Sequence, residues 1–461
     1  MILYNLFPLL AGRFGDWEPH LVRAAAMGFD WIFVNPIQKT GESGSLYSVA
    51  DYFQLNPLLV DQAAALAPDE QLEAAIKTAE SLGLKMMIDL VINHCAVDSP
   101  IAQQHPNWFV YEPDGSIAHP FCVEVNSGNK VVWYDLIRFD HKGHDHRLGH
   151  SNRQKSQLAK VDNDAKEDAG RNDDHGQHKH TSDPEGLYKY CRGVVEHLIK
   201  LGFKGFRCDA AYNIPHNFWQ RLIQDIKRRY PDIIFVAETL GCTPPQTKET
   251  ALAGFDFIFN STKWWDFQSP WLKEQYHLLR EVSPSIGFPE SHDTERLMQE
   301  SGGNVAALKQ RYLFAAVFSS GVMMPIGFEF GFRKRLHVVN TRPSDWEETE
   351  VDLTDFIRKV NAFKKRYPIF QEESINSFLP YENPNILLMW KASTKKADQE
   401  ALIILNKDTH NWQHFYTANL HQFIQTGGTL QDVSPEYPVE FVSRPFEYEL
   451  NPGQGLVLVT E

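Results

Sequence analysis

Eight short apolar runs recur along the first part of the chain, and between most of them the apolar residues switch to helical spacing. This alternation constrains the fold more than any other feature. The runs are 2–7 (ILYNLF), 31–37 (WIFVNPI), 85–92 (KMMIDLVI), 205–210 (GFRCDA), 233–239 (IIFVAET), 255–260 (FDFIFN), 285–293 (SIGFPESHD) and 321–330 (GVMMPIGFEF). The third is apolar almost throughout, as in a strand covered on both faces. The intervening segments read as helices. Leu72, Ile76 and Leu82 share one face, with Asp69 as the expected N-cap and Gly83 as the stop. Leu187, Cys191, Val194 and Leu198 line another helix over 185–201, and Phe218, Leu222 and Ile226 a third over 217–230. Further helices are expected over 305–318 and 354–367.

Strands joined by helical crossovers form parallel sheets, and eight such units predict a closed (β/α)8 TIM barrel of α/β class. The competing arrangement is an open doubly wound sheet. Against it, the first strand–helix turn has no GxGxxG. The alternation breaks between Cys95 and Asp183, too long a stretch for a structureless loop, so a small inserted domain is expected there. After about Asn376 the pattern becomes short strands with polar turns, which reads as a C-terminal antiparallel β-domain, sandwich-like in outline. The expected division is a barrel over 1–94 and 184–372, an insertion over 95–183, and a β-domain over 373–461.

The second half of the insertion holds seven of the 19 histidines: His141, His144, His146, His150, His175, His178 and His180. Its Asp, Lys, Gly and Asn content predicts a solvated, mobile loop. Metal binding is conceivable, but no fixed ligand spacing appears. Net charge is −14 without a basic stripe, which argues against nucleic acid and anionic membranes as partners. No apolar run is long enough to span a bilayer, and MILYNLFPLL lacks the marks of a signal peptide. Five scattered cysteines without a CxxC fit a reduced, cytoplasmic protein. Eleven tryptophans offer flat faces for sugars. Trp133, Tyr134, Trp264, Trp265 and Trp271, taken singly, are expected in the core.

In a barrel of this kind the site lies where the strands end. The polar residues there are Asp89, Asn93 and His94 on the third strand, Arg207 and Asp209 on the fourth, Glu238 on the fifth, Glu290, His292 and Asp293 on the seventh, and Glu329 on the eighth. Glycoside hydrolysis needs two carboxylates flanking a bond, one protonating the leaving oxygen and one opposing it. Arg207 and Asp209, two apart on a strand, point the same way. Glu238 follows a run of apolar residues, where burial suits a proton donor. Asp293 with His292 is placed to stabilise positive charge on a sugar ring.

These residues resemble the signatures of the α-amylase family, glycoside hydrolase family 13. The matching segments are 89–94 (DLVINH), 205–213 (GFRCDAAYN), Glu238 within VAETL, and 288–293 (FPESHD), in the family's order and on the expected strands. LYSVADYFQLNP at 46–57 and MPIGFEFGF at 324–332 fit as well. The resemblance implies that Asp209 is the nucleophile, Glu238 the general acid/base and Asp293 the transition-state stabiliser. It implies substrate contacts from Tyr47, Asp89, His94, Arg207 and His292. It also implies retention of anomeric configuration through a covalent glycosyl-aspartate. The implied partner is an α-glucan or malto-oligosaccharide.

Three departures stand out. Tyr212 and Asn213 replace the Lys-His common after the family's nucleophile. The family's proline-containing signature is not recognisable in the insertion. Calcium is therefore possible rather than required, with Asn93 its one candidate ligand and a purely structural hydrogen-bonder the alternative. Segments 105–117, 183–188 and 218–238 resemble maltosyltransferases that extend α-1,4-glucan from maltose 1-phosphate. Those enzymes carry a large domain before the barrel, whereas this sequence starts at the first strand. The chain is accordingly expected to be a glycoside hydrolase or transglycosylase. Maltosyl transfer is the alternative, and a non-catalytic glucan-binding protein a further reading.

Overall fold

The computed structural model describes residues 1–123, 129–143 and 182–460. Eight parallel strands close into a barrel in sequence order: β1 (Ile2–Leu6), β2 (Trp31–Val34), β3 (Lys85–Leu90), β4 (Gly205–Cys208), β5 (Ile234–Ala237), β6 (Phe257–Phe259), β7 (Ser285–Gly287) and β8 (Gly321–Pro325). β1 pairs with both β2 and β8, which completes the ring. The helices following the strands are α1 (Glu18–Ala26), α2 (Pro68–Ser81), α3 (Pro184–Leu201), α4 (His216–Arg229), α5 (Pro244–Ala251), α6 (Trp271–Leu279), α7 (Val305–Phe318) and α8 (Thr354–Arg366). The strands are apolar runs because both faces are covered. Leu3, Trp31, Phe33, Met87, Val236, Phe259, Ile286 and Met323 fill the barrel interior. Residues such as Tyr4, Ile32, Ile88 and Phe206 pack outward against the helices.

Each strand stops earlier than its apolar run suggests. The seventh stops at Gly287, and FPESHD leaves the sheet. Its Glu290 is buried and accepts from Arg296 Nη1 at 2.8 Å and from Leu297 N–H at 2.5 Å. Those bonds hold a turn, which a run of extended residues does not reveal. The cap of α2 also differs from expectation. Pro68 opens the helix, Asp69 lies inside its first turn, and the Glu70 carboxylate accepts from Ala67 N–H at 2.8 Å. At the end of α3, Gly202 has φ +116, and a Cβ there would stand 2.9 Å from Ile76. Any side chain would therefore meet both backbone strain and a packed neighbour.

The segment after β3 hangs on an antiparallel pair, His94–Ala96 with Leu136–Arg138. Within it Phe121–Val123 also pairs antiparallel with Lys130–Val132. His141 is half-buried, its Nε2 is 2.7 Å from the Ile92 carbonyl, and its ring meets Phe218 edge-on at 4.4 Å. His144, His146, His150, His175, His178 and His180 lie outside the described residues.

The C-terminal part contains β9 (Ile375–Leu379), β10 (Ile386–Ala392), β11 (Glu400–Asn406), β12 (Gln413–Thr417), β13 (Leu430–Asp432), β14 (Phe446–Leu450) and β15 (Gly455–Thr460). They form an antiparallel five-stranded sheet, β9-β10-β11-β15-β13, and a β12-β14 ribbon. Two buried lysines gather around the end of α7, Lys391 reaching it from the C-terminal sheet and Lys364 from α8 of the barrel. Lys391 Nζ donates to the carbonyls of Val317 and Phe318 at 2.8 and 3.1 Å. Lys364 Nζ donates to those of Ala316 and Ser319 at 2.8 and 2.7 Å, and also to that of Phe370. Together they satisfy carbonyls around the C-terminal end of α7, and burial pushes both amines below the ordinary lysine value. Among the described residues, no helix is long and apolar enough to cross a membrane.

Candidate active site

Arg207 and Asp89 are direct partners in the β3–β4 register. Their side chains therefore leave adjacent strands side by side. Arg207 Nη1 donates to both Asp89 oxygens at 2.9 Å and to Asp209 Oδ1 at 2.8 Å. Asp89 is fully buried, and burial pushes its carboxyl up to about 6 against the pull of Arg207. It does not line the cavity at the strand ends. It stands behind the wall, where it also accepts the Tyr47 hydroxyl at 2.7 Å.

The Tyr47 oxygen lies 2.6 Å from His292 Nε2 and accepts from Asn35 Nδ2 at 3.0 Å. Asn35 Oδ1 in turn accepts from Asn5 Nδ2 at 2.9 Å. The Tyr47 and His292 rings stack at 5.8 Å. His292 Nε2 reaches Asp293 Oδ2 at 3.1 Å. Like Asp89, His292 lies behind the wall rather than on it. For Asp293, desolvation opposes the charge, but His292 and then Arg207 outweigh it and hold the carboxyl down to about 2.

Glu238 follows β5 by one residue and is buried. Its Oε2 accepts from Ala210 N–H at 2.9 Å, and its Oε1 from Leu240 N–H at 2.7 Å. Desolvation raises its carboxyl to about 7, although Arg207 opposes the rise. Ala210 itself has φ +43, a left-handed conformation unusual for alanine.

Tyr47, Asn93, His94, Arg207, Asp209, Glu238 and Asp293 share the wall of one cavity of about 490 Å³. His94 is buried, its Nε2 has no partner among the described residues, and burial lowers its imidazole. It is therefore available to a ligand hydroxyl. Besides Asp89, two more strand-end carboxylates stay out of the cavity wall. Glu290 pairs with Arg296, and Glu329 accepts from Tyr4 at 2.7 Å and from Arg23 at 2.9 Å. Of the aromatics expected in the core, Trp265 is there and Trp271 is partly buried. Trp133 and Trp264 are 41% and 50% exposed and stand in the cavity wall, and Tyr134 is exposed. Phe121, Cys122 and Asp135 also line the cavity. Asp135 belongs to a WYD tripeptide beside a short strand in the insertion, and no periodicity places Phe121 or Cys122.

Asn93 has its Nδ2 3.3 Å from His94 Nδ1, and its backbone carbonyl accepts from Phe139 N–H at 3.1 Å. Among the described residues, no group of three or more His, Cys, Asp or Glu is placed to hold a metal ion. No step below uses a metal ion.

A family model described as the glucanotransferase domain of glycogen debranching enzyme matches residues 2–116. A maltosyltransferase of Burkholderia pseudomallei, named for α-1,4-glucan and maltose 1-phosphate, is 25% identical over 88% of this chain and 33% of its own. Its namesake from Rhodospirillum rubrum is 25% identical over 87% of this chain and 55% of its own. The chain thus spans a third to about half of these relatives. The crystal structure of an α-amylase from Geobacillus thermoleovorans, complexed with acarbose, superposes with a TM-score of 0.74 at 15% identity, covering 100% of this chain and 98% of the other.

The chain has an α-amylase fold. In sequence it resembles the maltosyltransferases just named. On this α-amylase fold, the strand ends gather three carboxylates, one guanidinium and an imidazole whose Nε2 has no partner among the described residues around one cavity.

Proposed function

We propose that this chain is a retaining α-glucan-active enzyme, a glycoside hydrolase or transglycosylase that works through a covalent glycosyl-aspartate. One observation carries the reading. Asp209, oriented by Arg207, and Glu238, held as a weak acid by burial, share one cavity wall. An Asp209 oxygen bonds to the anomeric carbon as the glycosidic C–O bond breaks, and the Glu238 proton passes to the leaving oxygen. Glu238, now a carboxylate, then takes a proton from an acceptor hydroxyl. That oxygen bonds to the anomeric carbon and frees Asp209. Asp293 stays ionised throughout and stabilises the positive charge that develops on the sugar. Water as acceptor gives hydrolysis, and a glucan hydroxyl gives transfer.

Maltosyl transfer from maltose 1-phosphate is the second reading. It is supported by similarity spread over most of the chain to relatives that bear that name. In it the leaving oxygen belongs to phosphate.

Product analysis with maltoheptaose, alone and with maltose 1-phosphate, tests both, with Asp209→Asn as control. Shorter and longer oligomers from maltoheptaose alone mean transglycosylation, and shorter ones only mean hydrolysis. Growth by two units only with the phosphate donor means maltosyl transfer. Turnover unchanged in Asp209→Asn would overturn the assignment of the nucleophile.

A further inference from the structure

Two asparagines near the ends of β1 and β2 are fully buried, and neither lines the catalytic cavity. The strand register sets Asn5 of β1 beside Phe33 of β2, and Asn35 follows β2 by one residue. Buried amides are costly unless bonded, and the bonds of these two run in one direction. The Phe33 carbonyl can only accept, so it decides which end of the Asn5 amide faces it. Asn5 Nδ2 donates to that carbonyl at 3.1 Å and to Asn35 Oδ1 at 2.9 Å. Asn5 Oδ1 is left without a partner among the described residues. The opposite orientation would set two carbonyl oxygens against each other. With its Oδ1 so engaged, Asn35 presents Nδ2 to the Tyr47 oxygen at 3.0 Å.

The Tyr47 hydroxyl has one hydrogen and two lone pairs. Asp89, both of whose oxygens accept from Arg207, takes the hydrogen at 2.7 Å. Asn35 occupies one lone pair. The other faces His292 Nε2 at 2.6 Å, so that nitrogen carries a hydrogen. His292 Nδ1 has no partner among the described residues, and the polar contacts of the ring run through Nε2. The same Nε2–H lies 3.1 Å from Asp293 Oδ2. Every bond direction from the Phe33 carbonyl to Asp293 thus follows from two fixed ends, a backbone carbonyl and a carboxylate held by a guanidinium. Tyr47 itself comes from the loop after β2, outside the barrel sheet. Asn35 ties its hydroxyl to the end of a barrel strand.

We infer that Asn35 is a positioning residue: through the Tyr47 hydroxyl it aims the His292 Nε2–H at Asp293, and Asn5 orients Asn35 in turn. The consequence for turnover rests on the α-glucan reading given above; the bond directions do not. Without the tie, the Tyr47 hydroxyl is free to turn between its neighbours, and Asp293 loses an aligned donor. Asp293 acts on charge that develops as the bond breaks, so the loss falls on kcat. Ground-state binding against the Tyr47 ring changes little.

A double-mutant cycle on maltoheptaose kinetics tests this with Asn35→Leu, Tyr47→Phe and the pair. Asn35→Leu is expected to lower kcat about 10- to 100-fold while KM stays within about three-fold. In the Tyr47→Phe background the same substitution should cost less than about two-fold, because the hydroxyl it acts through is gone. An equal loss in both backgrounds, as a packing role would give, overturns the inference, and so does an unchanged kcat in Asn35→Leu. Melting temperatures identify a misfolded variant, and Asn35→Ala then replaces Asn35→Leu. Nitrogen NMR of the full chain labelled at histidine, with His292→Gln assigning the signal, gives a readout without turnover. The parent is expected to show a slowly exchanging hydrogen on His292 Nε2, and Asn35→Leu to exchange it at least about ten-fold faster. An Nε2 without hydrogen in the parent, or one that exchanges no faster in the variant, overturns the inference. The expected exchange in a parent that turns over no α-glucan leaves the Asn35 tie standing and removes the catalytic reading.

Discussion

The backbone N–H of Ala210 donates to Glu238 Oε2 at 2.9 Å, which ties the residue after Asp209 to the acid on the neighbouring strand. The left-handed turn at Ala210 accompanies this bond. The proposed nucleophile and proton donor are thus set relative to each other by main chain, before any substrate binds. Preorganisation of this kind lowers the reorganisation needed at the transition state.

Glu238→Gln keeps the shape and the acceptor for one of these N–H groups but has no carboxyl proton to give. On maltoheptaose, kcat is expected to fall by at least about 100-fold. With α-maltosyl fluoride, whose leaving group needs little protonation, the loss should be much smaller. Equal losses on the two substrates would remove Glu238 from the role of proton donor.

The pH dependence follows from the same carboxyl. An acid raised to about 7 must stay protonated for the first step, so kcat/KM falls as pH rises through about 7. Folding stability changes in the same direction. Between the ordinary Glu value and about 7 the folded state binds a proton that the unfolded state has lost, so stability declines as pH rises across that window. A pH series of melting temperatures should show a shallower decline in Glu238→Gln. A parallel decline would place the stored proton elsewhere, with Asp89, raised to about 6, the first alternative.

Much of this was legible in the sequence, and the reasons for the rest are local. The eight strands announce themselves because a barrel strand is covered on both faces and must be apolar. Asp209 and Glu238 follow their strands by one residue, so their positions came with the strands. Asp89 and His292 were legible as polar strand ends, but not as members of a layer behind the wall. That placement depends on the Arg207–Asp89 register and the reach of Tyr47 from a distant segment. Glu290 and Glu329 look the same in sequence as the cavity carboxylates. Only the guanidiniums of Arg296 and Arg23 distinguish them, and neither lies at a telling spacing. Trp133 and Trp264 were expected inside because most tryptophans are, and nothing periodic around them says otherwise.

Glu290 supplies the contrasting case. Its pairing with Arg296 is fully buried. Removing one partner leaves the other charged in a dry site, at a cost of about 3–5 kcal/mol. Glu290→Gln is therefore expected to lower the unfolding free energy in urea by about that amount. The kcat of the protein that remains folded should stay near the parent's. A large kcat loss with unchanged stability would move Glu290 into the catalytic set.

Trp264 and Trp133 give the opposite signature. Trp264 lines the cavity and is half exposed, and its ring meets Phe288 edge-on at 5.8 Å. Little of the core depends on it, so Trp264→Ala should change the melting temperature only slightly. If the ring is a sugar platform, its loss removes an aromatic contact of about 0.5–1.5 kcal/mol, which raises KM about 2- to 10-fold. Trp133→Ala should behave similarly, at the part of the wall that the insertion supplies. Among the described residues the two rings share no partner, so their effects on KM should multiply in the double variant. Melting temperatures that collapse with KM unchanged would return both rings to the core.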